Sequence, residues 1–376
     1  MVRKIPTLFL LAIFLLASTP AFATSVERDP TKRKGAGPLF QIRRGKLWGY
    51  MDRTGKVVIE PQFEYESDFF HGLARVLKNR KWGYINEKGQ QVIPFQFDDA
   101  LDFIGDIAPV RVGREWGYID PKGQWIVSQR FQAGGELVGG VARVVLWNRV
   151  QCGEETDTNA KAPEYVFVMP TILTSIMTGC FPRDRRYGFI DKSGRFAIEP
   201  QLELAEDFSD GLAVFVSGQK FGYVDVNGSV VIAPQFEWAE NFSEGLAAAK
   251  LNGKYGYIDK SGKWVIPPRF DRCGDFSEGL ARVAPDNTMT GYIDKTGKMI
   301  IQPQFEEGWD FSEGLAPVWK NDQWFYIDHS GNTVLKFKEA RWGFSDGLTV
   351  VGEYAERVYV DKKGKVVAQY EIGSQF

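Results

Sequence analysis

The chain has 376 residues, with 46 lysines and arginines against 48 aspartates and glutamates, and its formal net charge is −2. A chain without a basic excess lacks the charge that nucleic-acid binding requires, so a nucleic-acid partner is not expected. The two histidines stand far apart in the sequence, which argues against zinc sites and Ser-His-Asp sites.

The first 23 residues have the three parts of a secretory signal peptide. Arg3 and Lys4 supply the basic start, residues 8–17 form a short apolar run, and Ala-Phe-Ala at 21–23 is a cleavage sequence. The run is short for a membrane span. We therefore predict cleavage and export, to a periplasm or the extracellular space, with no stable membrane span afterwards; an uncleaved anchor is the alternative.

Residues 24–38 are polar and lack periodicity, so they are predicted to form a flexible leader. The motif FSEGLA then stands at 242–247, 276–281 and 311–316, with near copies FSDGLA at 208–213 and FSDGLT at 344–349. The glycines of these copies are spaced by 34, 34, 35 and 33 residues. A fixed step in this range indicates a tandem-repeat architecture.

A second motif keeps the same step and reads, for example, KYGYID at 254–259. It occurs nine times. The aromatic residue at its fourth position is Tyr50, Tyr84, Tyr118, Phe189, Tyr223, Tyr257, Tyr292, Tyr326 and Tyr359 in turn. The interval from Tyr118 to Phe189 is about twice the ordinary step, which indicates an insertion between them.

The linked pattern resembles the bacterial WG-repeat (KWG-repeat) proteins, and the resemblance covers residues 39–368. It rests on in-phase copies of aromatic-Gly-Tyr-Ile-Asp, a Lys-x-Gly turn, Val-Ile-x-Pro-Gln-Phe and Phe-Ser-Glu-Gly-Leu-Ala. The resemblance implies a β-rich repeat array with an extracytoplasmic or accessory role. It supplies no catalytic residues, so none is assigned.

One repeat, residues 280–311, predicts three short antiparallel strands. Asp294 and Gly297 belong to the turn between the second and third strands, because aspartate accepts local backbone hydrogen bonds and glycine adopts positive φ. Pro303 is expected to end the third strand, because proline cannot donate to a ladder.

The FSEG motif is expected to be a turn that joins repeats rather than a site repeated many times. Phe276 is predicted to point inward, and Gly279 to adopt the left-handed conformation that other residues avoid. Asp106 stands at this glycine position in an earlier copy and is expected to share the conformation. His71 is assigned to the serine position of another copy, and His329 to a strand-turn position.

The predicted fold is all-β, a tandem array of about nine three-stranded antiparallel units over residues 39–368, followed by a tail at 369–376. Nine units exceed the four to eight blades usual in a closed propeller. The array also starts with a first strand and ends with a third, so no unit is split to close a ring. We therefore expect an open, curved, solenoid-like array; a closed β-propeller-like toroid is the alternative.

The insertion, residues 147–183, is predicted to enter the hairpin between the first and second strands of one unit, because hairpin tips tolerate insertions. It contains Cys152 and Cys180, which predict a disulfide in an exported protein. It is either a flap packed on its own repeats or a partner-binding loop. The candidate partner-binding residues are Trp147, Tyr165, Phe167, Met169, Ile172, Ile176 and Phe181.

Three further sets of residues receive structural interpretations. Cys273 occupies a position held elsewhere by alanine or glycine, and is expected to be a free, buried thiol. The recurrent acids are expected to cap turns, because glycosidases need two carboxyls in different environments; they are Asp210, Glu244, Glu278, Glu313 and Asp346. Recurrent aromatics are expected to pack between repeats rather than to stack on sugars; they are Trp48, Trp82, Trp116, Tyr255 and Tyr257.

The sequence therefore predicts a non-catalytic exported repeat scaffold, without a cofactor, that binds a protein or an envelope polymer. A cell-envelope enzyme acting on glycans and a purely structural surface protein are the alternatives. A unique, non-repeated acidic or histidine pair in a cleft would favour the enzyme, and the sequence does not identify one.

Overall fold

The computed structural model describes residues 39–146, 150–152, 180–182, 185–340, 342–352 and 356–371, with the backbone alone for residues 129, 150–152, 180–182, 356–357 and 369–371. Contacts divide the chain into Met1–Lys32 and Arg33–Phe376, and every described residue belongs to the second unit. These residues form strands and turns without a helix, so the all-β prediction is confirmed. The signal peptide, the leader and residues 372–376 lie outside the described residues.

The strands form nine small antiparallel sheets, which are arranged as the blades of a nine-bladed β-propeller. Blades 1 to 3 contain β1 (Phe40–Arg44), β2 (Leu47–Met51), β3 (Val57–Phe63); β4 (Tyr65–Glu66), β5 (Leu73–Lys78), β6 (Lys81–Asn86), β7 (Gln91–Phe97); and β8 (Asp99–Ala100), β9 (Ala108–Val112), β10 (Glu115–Ile119), β11 (Trp125–Phe131). Blade 4 contains β12 (Ala133–Val138), β13 (Val141–Leu146), β16 (Arg186–Asp191) and β17 (Phe196–Leu202), while β14 (Val150–Cys152) and β15 (Cys180–Pro182) form a separate hairpin.

The remaining blades follow the same order. Blades 5 and 6 contain β18 (Leu204–Ala205), β19 (Leu212–Ser217), β20 (Lys220–Asp225), β21 (Val230–Phe236); and β22 (Trp238–Ala239), β23 (Ala247–Leu251), β24 (Lys254–Ile258), β25 (Trp264–Phe270). Blades 7 to 9 contain β26 (Arg272–Ser277), β27 (Leu280–Ala284), β28 (Thr290–Asp294), β29 (Met299–Phe305); β30 (Glu307–Gly308), β31 (Ala316–Lys320), β32 (Gln323–Ile327), β33 (Thr333–Phe337); and β34 (Leu348–Val351), β35 (Glu356–Asp361), β36 (Val366–Glu371). Each blade thus has the three predicted strands, and most add a two-residue strand at one edge.

The turn between the last two strands of a blade is built around an aspartate. In blade 6 the Asp259 carboxylate accepts hydrogen bonds from the backbone N–H of Ser261 at 2.9 Å and of Lys263 at 3.1 Å. Gly262 has φ 82°, as the sequence predicts for this position. The hydroxyl of Ser261 holds the pKa of Asp259 below its ordinary value. The D-x-x-G element is therefore a self-capped turn.

The glycine of the Trp-Gly motif faces a bulge in the neighbouring strand. Tyr255 pairs with Phe270, but Tyr257 pairs with Ile266, so two extra residues of β25 lie opposite Gly256. A Cβ atom on Gly256 would overlap the Ile266 carbonyl oxygen and lie 2.7 Å from the nitrogen of Pro268. The expectation that proline ends the third strand is therefore wrong, because β25 and β29 run through it at the bulge of an edge strand.

Two blades lack both the glycine and the bulge. In blade 8, Phe325 replaces the glycine, and β33 has five residues and no proline. Phe325 pairs with Lys336 in a regular ladder between Trp324 and Tyr326. Blade 9 likewise has Val358 at the glycine position and pairs it with Gln369. The glycine is therefore needed where the third strand is two residues longer.

The tyrosine of the second motif joins a blade to the following one in every blade except blade 4, which has Phe189 at this position. The buried hydroxyl of Tyr257 in blade 6 donates a hydrogen bond to the carbonyl of Gly274 in blade 7 at 2.7 Å. Equivalent bonds start from Tyr50, Tyr84, Tyr118, Tyr223, Tyr292 and Tyr326. Tyr359 of blade 9 donates to the carbonyl of Gln41 in blade 1 at 2.9 Å. The last blade is thus joined to the first by the contact that joins the others.

The expected open array is therefore wrong, and the ring is closed. The Phe40 and Tyr359 rings lie 5.9 Å apart, and the Arg53 guanidinium donates to the Asp346 carbonyl at 2.7 Å, both across the seam between blades 9 and 1. Closure does not require a split sheet, because the third strand of blade 9 packs beside the first strand of blade 1 as in most other pairs of blades. A complete unit at each end of the repeat region is compatible with a ring.

The FSEG motif is a turn, as predicted, but it lies within a blade, between β26 and β27 in blade 7, and its acid reaches the next blade. Ser277 pairs with Leu280, and the two residues between them have positive φ, 53° at Glu278 and 82° at Gly279. Such a two-residue turn normally carries asparagine or glycine first. The Glu278 carboxylate accepts a hydrogen bond from the backbone N–H of Gly314 in the next blade at 2.9 Å. The same bond is accepted by Asp210, Glu244 and Glu313.

Two expectations for this motif are wrong. In blade 3, Ile104 pairs with Ile107, so Asp106 does occupy the glycine position, but the positive φ, 66°, belongs to Gly105. Phe70 pairs with Leu73 across its turn, which places His71 at the acid position with φ 50°. The Nε2 atom of His71 accepts a hydrogen bond from the N–H of Gly105 at 3.1 Å, so this imidazole replaces the bridging carboxylate.

Charged groups are also buried between blades. Arginines of the first long strand form ion pairs with aspartates of the next blade. Arg75 Nε lies 2.9 Å from the Asp102 carboxylate, and Arg143 Nε lies 3.0 Å from the Asp207 carboxylate. Two acids nearby have raised pKa values. Burial, together with the charge of Asp68, raises the pKa of Glu66 to about 8. Burial and the charge of Asp102 raise the pKa of Glu136 to about 7.

The bulge predicts a compensating pair of changes in blade 6. Gly256→Phe alone should lower the free energy of unfolding by roughly 3 kcal/mol or more, because the new side chain meets main-chain atoms. Replacing residues 266–270 by the Leu-Lys-Phe of blade 8 as well should restore most of that loss. Urea denaturation measures each variant, with the shortened strand alone as the control. A combined variant no more stable than Gly256→Phe would contradict the explanation.

The raised pKa of Glu66 predicts how stability depends on pH. A carboxyl whose pKa is raised by folding is protonated more readily in the folded state, so its contribution falls as pH rises from about 4.5 through about 8. Glu66→Gln should therefore lose less stability than the parent protein between pH 5 and pH 9. Urea denaturation across this range measures the difference. Glu199→Gln, at an exposed position, is the control; equal pH profiles for the parent and Glu66→Gln would refute the prediction.

Candidate functional site

The insertion leaves blade 4 at the tip of a hairpin. β13 and β16 pair without interruption, from Val141 opposite Asp191 to Leu146 opposite Arg186. They are the equivalents of the first and second strands of the other units, so the predicted entry point is confirmed. The hairpin β14–β15 follows, with Val150 opposite Pro182. Blade 4 therefore has all the strands of a repeat without the insertion.

The register of β14 and β15 places Cys152 directly opposite Cys180. Residues opposite each other in an antiparallel pair have Cα atoms about 4.5–5.5 Å apart, which is within the range that a disulfide bridges. The two side chains lie outside the described part of the chain. The backbone is therefore compatible with the predicted disulfide, which stays a prediction.

The predicted partner-binding residues fall outside what the structure describes. Trp147, Tyr165, Phe167, Met169, Ile172 and Ile176 belong to the ranges that are not described. For Phe181 only the backbone, within β15, is described. The choice between a packed flap and a partner-binding loop stays open at this point.

The recurrent aromatic residues are used in packing. Tyr257 is fully buried and Trp116 nearly so. The rings of Trp48, Trp82 and Tyr255 are half-buried, and a cation lies over each face at 5.1–5.2 Å. These cations belong to neighbouring strands of the same blade, so the ring faces are covered by the protein itself. This arrangement favours packing over sugar stacking.

The recurrent acids are engaged in the joints between blades. Besides the backbone bond described above, the Glu244 carboxylate lies 3.1 Å from Lys295 Nζ, and the Glu278 carboxylate lies 3.2 Å from His329 Nε2. The His329 ring stacks on Phe311 with 4.4 Å between ring centroids. The acids therefore have the same structural role in each repeat, as the sequence predicts.

Cys273 behaves as a residue of the packed interior. It is a free cysteine, and burial raises the pKa of its thiol well above the ordinary value. The equivalent Ala100, Ala205, Ala239 and Gly308 are buried at the same strand position. A protonated thiol is a poor nucleophile, so the expected inert role fits this environment.

Two surveys of the described residues gave no candidates. Within the ranges that the structure describes, no three histidine, cysteine, aspartate or glutamate side chains come together as metal ligands. The same ranges contain no helix long and apolar enough to span a membrane.

The turn between the last two strands of blade 9 is rich in lysine. The turn of blade 9 reads DKKGK at 361–365, with three lysines. Lys362, Lys363 and Lys365 line a cavity together with Arg53 of blade 1. Arg53 lies beside these lysines only because the ring is closed. The sequence therefore shows the run of lysines but does not predict that Arg53 joins them.

Solved structures with a similar arrangement of strands are distant. A computationally designed protein, Ika8, matches with a TM-score of 0.41 and 11% identity over 82% of this chain and 95% of its own. A eukaryotic initiation factor matches with a TM-score of 0.49 and 11% identity over 83% of this chain and 91% of its own. BamB from Moraxella catarrhalis matches with a TM-score of 0.32 and 9% identity over 93% of this chain and 96% of its own. These likenesses are too low to carry a conclusion.

The comparison of sequences gives a clearer result. No curated protein matches the chain significantly. A family model described as "WG containing repeat" matches seven stretches, which are residues 48–82, 82–114, 116–146, 187–221, 221–255, 255–287 and 291–324. The matched stretches cover more than half of the chain, and each begins in the second long strand of a blade. The chain therefore belongs to the family of WG-containing repeat proteins.

Proposed function

We propose that this protein is an exported, non-catalytic scaffold that binds a protein or an envelope polymer through the insertion of blade 4, residues 147–183. The observation that carries the proposal is the unbroken pairing of β13 with β16 up to Leu146 and Arg186. Blade 4 has its full set of strands without the insertion. A long segment that the fold does not need is a candidate for binding, because function concentrates in such loops.

The composition of the insertion supports the same role. Residues 165–181 contain no charged side chain and are rich in aliphatic and aromatic residues. Apolar groups on a segment this long need a cover, and a partner surface provides one. The propeller, in turn, offers a rigid base from which a single loop can project.

A non-catalytic role is supported by the uniformity of the repeats. The recurrent carboxylates serve as turn and joint acceptors, and equivalent positions give them equivalent environments. Catalysis by paired carboxyls needs groups whose environments differ. The family and its repeat propeller therefore favour a scaffold over an envelope enzyme.

Export is proposed from the N-terminal sequence and from the cysteine pair. The purified mature protein is expected to begin at Thr24, after the Ala-Phe-Ala sequence. Cys152 and Cys180 are expected to be joined, because their strands place them opposite each other. N-terminal sequencing and non-reducing peptide mapping of protein recovered from the producing cell measure both. An uncleaved N-terminus with both thiols free would argue for a cytoplasmic protein.

Removing the insertion tests the binding role. Residues 147–185 are replaced by Asn-Gly, which suits a two-residue turn between the paired Leu146 and Arg186. The propeller should remain folded, with stability changed by about 1 kcal/mol or less once the insertion is absent. Capture of a partner from envelope extract should be lost. Circular dichroism, urea denaturation and quantitative pull-down measure the three effects.

Blade 5 provides a matched control for this deletion. Its hairpin turn is Gly218-Gln219, between the paired Ser217 and Lys220, and both turn residues have positive φ. Changing this turn to Asn-Gly should preserve both folding and capture. Unfolding of the deletion variant would make the insertion part of the core. Undiminished capture by a folded deletion variant would move the binding surface elsewhere on the propeller.

A further inference from the structure

The seam between blades 9 and 1 contains two cavities. The larger has a volume of about 680 Å³ and lies between the turn of blade 9, including Lys363 and Lys365, and the turn of blade 1, including Arg53. The smaller, of about 220 Å³, lies beside Gly55 and Ala368. Both follow from the joining of the first and last repeats.

A difference in packing accompanies these cavities. At each of the eight other seams, a branched aliphatic side chain of the third strand packs against the turn glycine of the next blade, as Ile232 does against Gly262. The other seven aliphatic residues are Ile59, Ile93, Val127, Ile198, Ile266, Ile301 and Leu335. At the closing seam the equivalent residue is Ala368, and the smaller cavity lies beside it and Gly55. The closing seam therefore lacks the branched aliphatic side chain that the other eight seams share.

The larger cavity is basic. Among the nine equivalent turns, eight of which read D-x-x-G and one, in blade 2, N-x-x-G, only that of blade 9 carries three lysines. The Lys362 ammonium is held by Glu313, at 3.1 Å from the carboxylate and 2.7 Å from the carbonyl. Within the described residues, no carboxylate pairs with the ammonium group of Lys363 or of Lys365. Both groups are exposed and face a cavity.

The one carboxylate that lines the cavity has another role. Asp361 accepts hydrogen bonds from the N–H groups of Lys363 and Lys365, both at 2.9 Å. These bonds hold the pKa of Asp361 below its ordinary value, so the carboxylate is ionised at neutral pH. With Lys362 paired with Glu313, the cavity keeps the ammonium groups of Lys363 and Lys365 and the guanidinium of Arg53, which is bonded to the Asp346 carbonyl. The cavity therefore carries a net positive charge and suits an anion.

We propose that this cleft, lined by Arg53, Lys363 and Lys365, binds a phosphate monoester or another phosphate group. Lysine binds phosphate as a point charge, and arginine contributes planar donors. Arg53 uses one guanidinium nitrogen on the Asp346 carbonyl, which leaves further donors for the ligand. Val366 and Val367 supply an apolar wall for the remainder of the ligand. The site goes beyond the proposed function and does not depend on the insertion.

The test uses the full mature protein at low salt and neutral to mildly alkaline pH. Binding of glycerol 3-phosphate is followed by ³¹P NMR titration, and binding to vesicles containing phosphatidylglycerol is followed by co-sedimentation. The first probe detects a free phosphate monoester, and the second detects a lipid headgroup. Lys363→Gln with Lys365→Gln should weaken binding by about tenfold or more, because charge-assisted hydrogen bonds to phosphate are lost.

The control is Lys260→Gln with Lys263→Gln in blade 6. This pair lies on an equivalent turn and removes the same charge, but at a seam where Ile232 fills the space beside Gly262. Weaker binding by the blade 9 variant alone supports the site. The probe whose binding weakens shows whether the phosphate belongs to a free monoester or to a lipid headgroup. Equal weakening in both variants would show non-specific attraction and overturn the proposal. Unchanged binding in the blade 9 variant, or no binding of either probe by the parent protein, would overturn it as well.

Discussion

The contact from the motif aromatic to the next blade is the one on which the ring depends; it is a hydrogen bond from a buried tyrosine hydroxyl at eight seams and the packing of Phe189 on Phe208 at the ninth. A buried hydroxyl needs a partner, and here that partner always belongs to the neighbouring blade. In a single isolated repeat the tyrosine hydroxyl would lose its carbonyl acceptor, because that acceptor belongs to the next blade. Stability in such an array is a sum of units and neighbouring interfaces. Closure adds one more interface, because Tyr359 finds its carbonyl on Gln41.

The repeat period allowed much of the fold to be predicted from the sequence. Three strands per unit, the Asp-x-x-Gly turn and the FSEG turn all follow from local turn chemistry, which acts within a few residues. The bulge opposite Gly256 could not be derived in this way, because it depends on the close approach of two strands. The sequences of blades 6 and 8 do differ in a way that indicates the bulge, because Phe325 replaces the glycine in the blade with the shorter third strand.

Ring closure could not be predicted for a different reason. The contacts between blades 9 and 1 use the same tyrosine and turn motifs as those between other blades, and the change to Ala368 in the third strand does not by itself indicate closure. The absence of a split unit therefore did not distinguish a ring from an open array. The insertion behaved differently, because the pairing pattern of the flanking strands in other repeats located its entry point at Leu146.

Both candidate sites lie where the chain departs from its own repeat. The insertion interrupts one hairpin, and the closing seam combines Ala368 with the lysine-rich turn of blade 9. Local departures from an otherwise consistent pattern are where function is expected, because the repeated contacts already account for the fold. The two sites belong to different blades, 4 and 9, and each can be altered without changing the other.

The central claim is that blade 9 lies against blade 1. Spin labels at Thr54 and Val366 would measure this contact by pulsed electron resonance in a variant whose native cysteines are replaced, with alanine at Cys273 as in equivalent repeats. Labels at Ser261 and Val230 occupy the same positions on adjacent blades 6 and 5 and provide the reference; all four residues are exposed. A closed ring predicts the same distance for both pairs. A much longer distance between Thr54 and Val366 than between Ser261 and Val230 would show an open array and contradict the account.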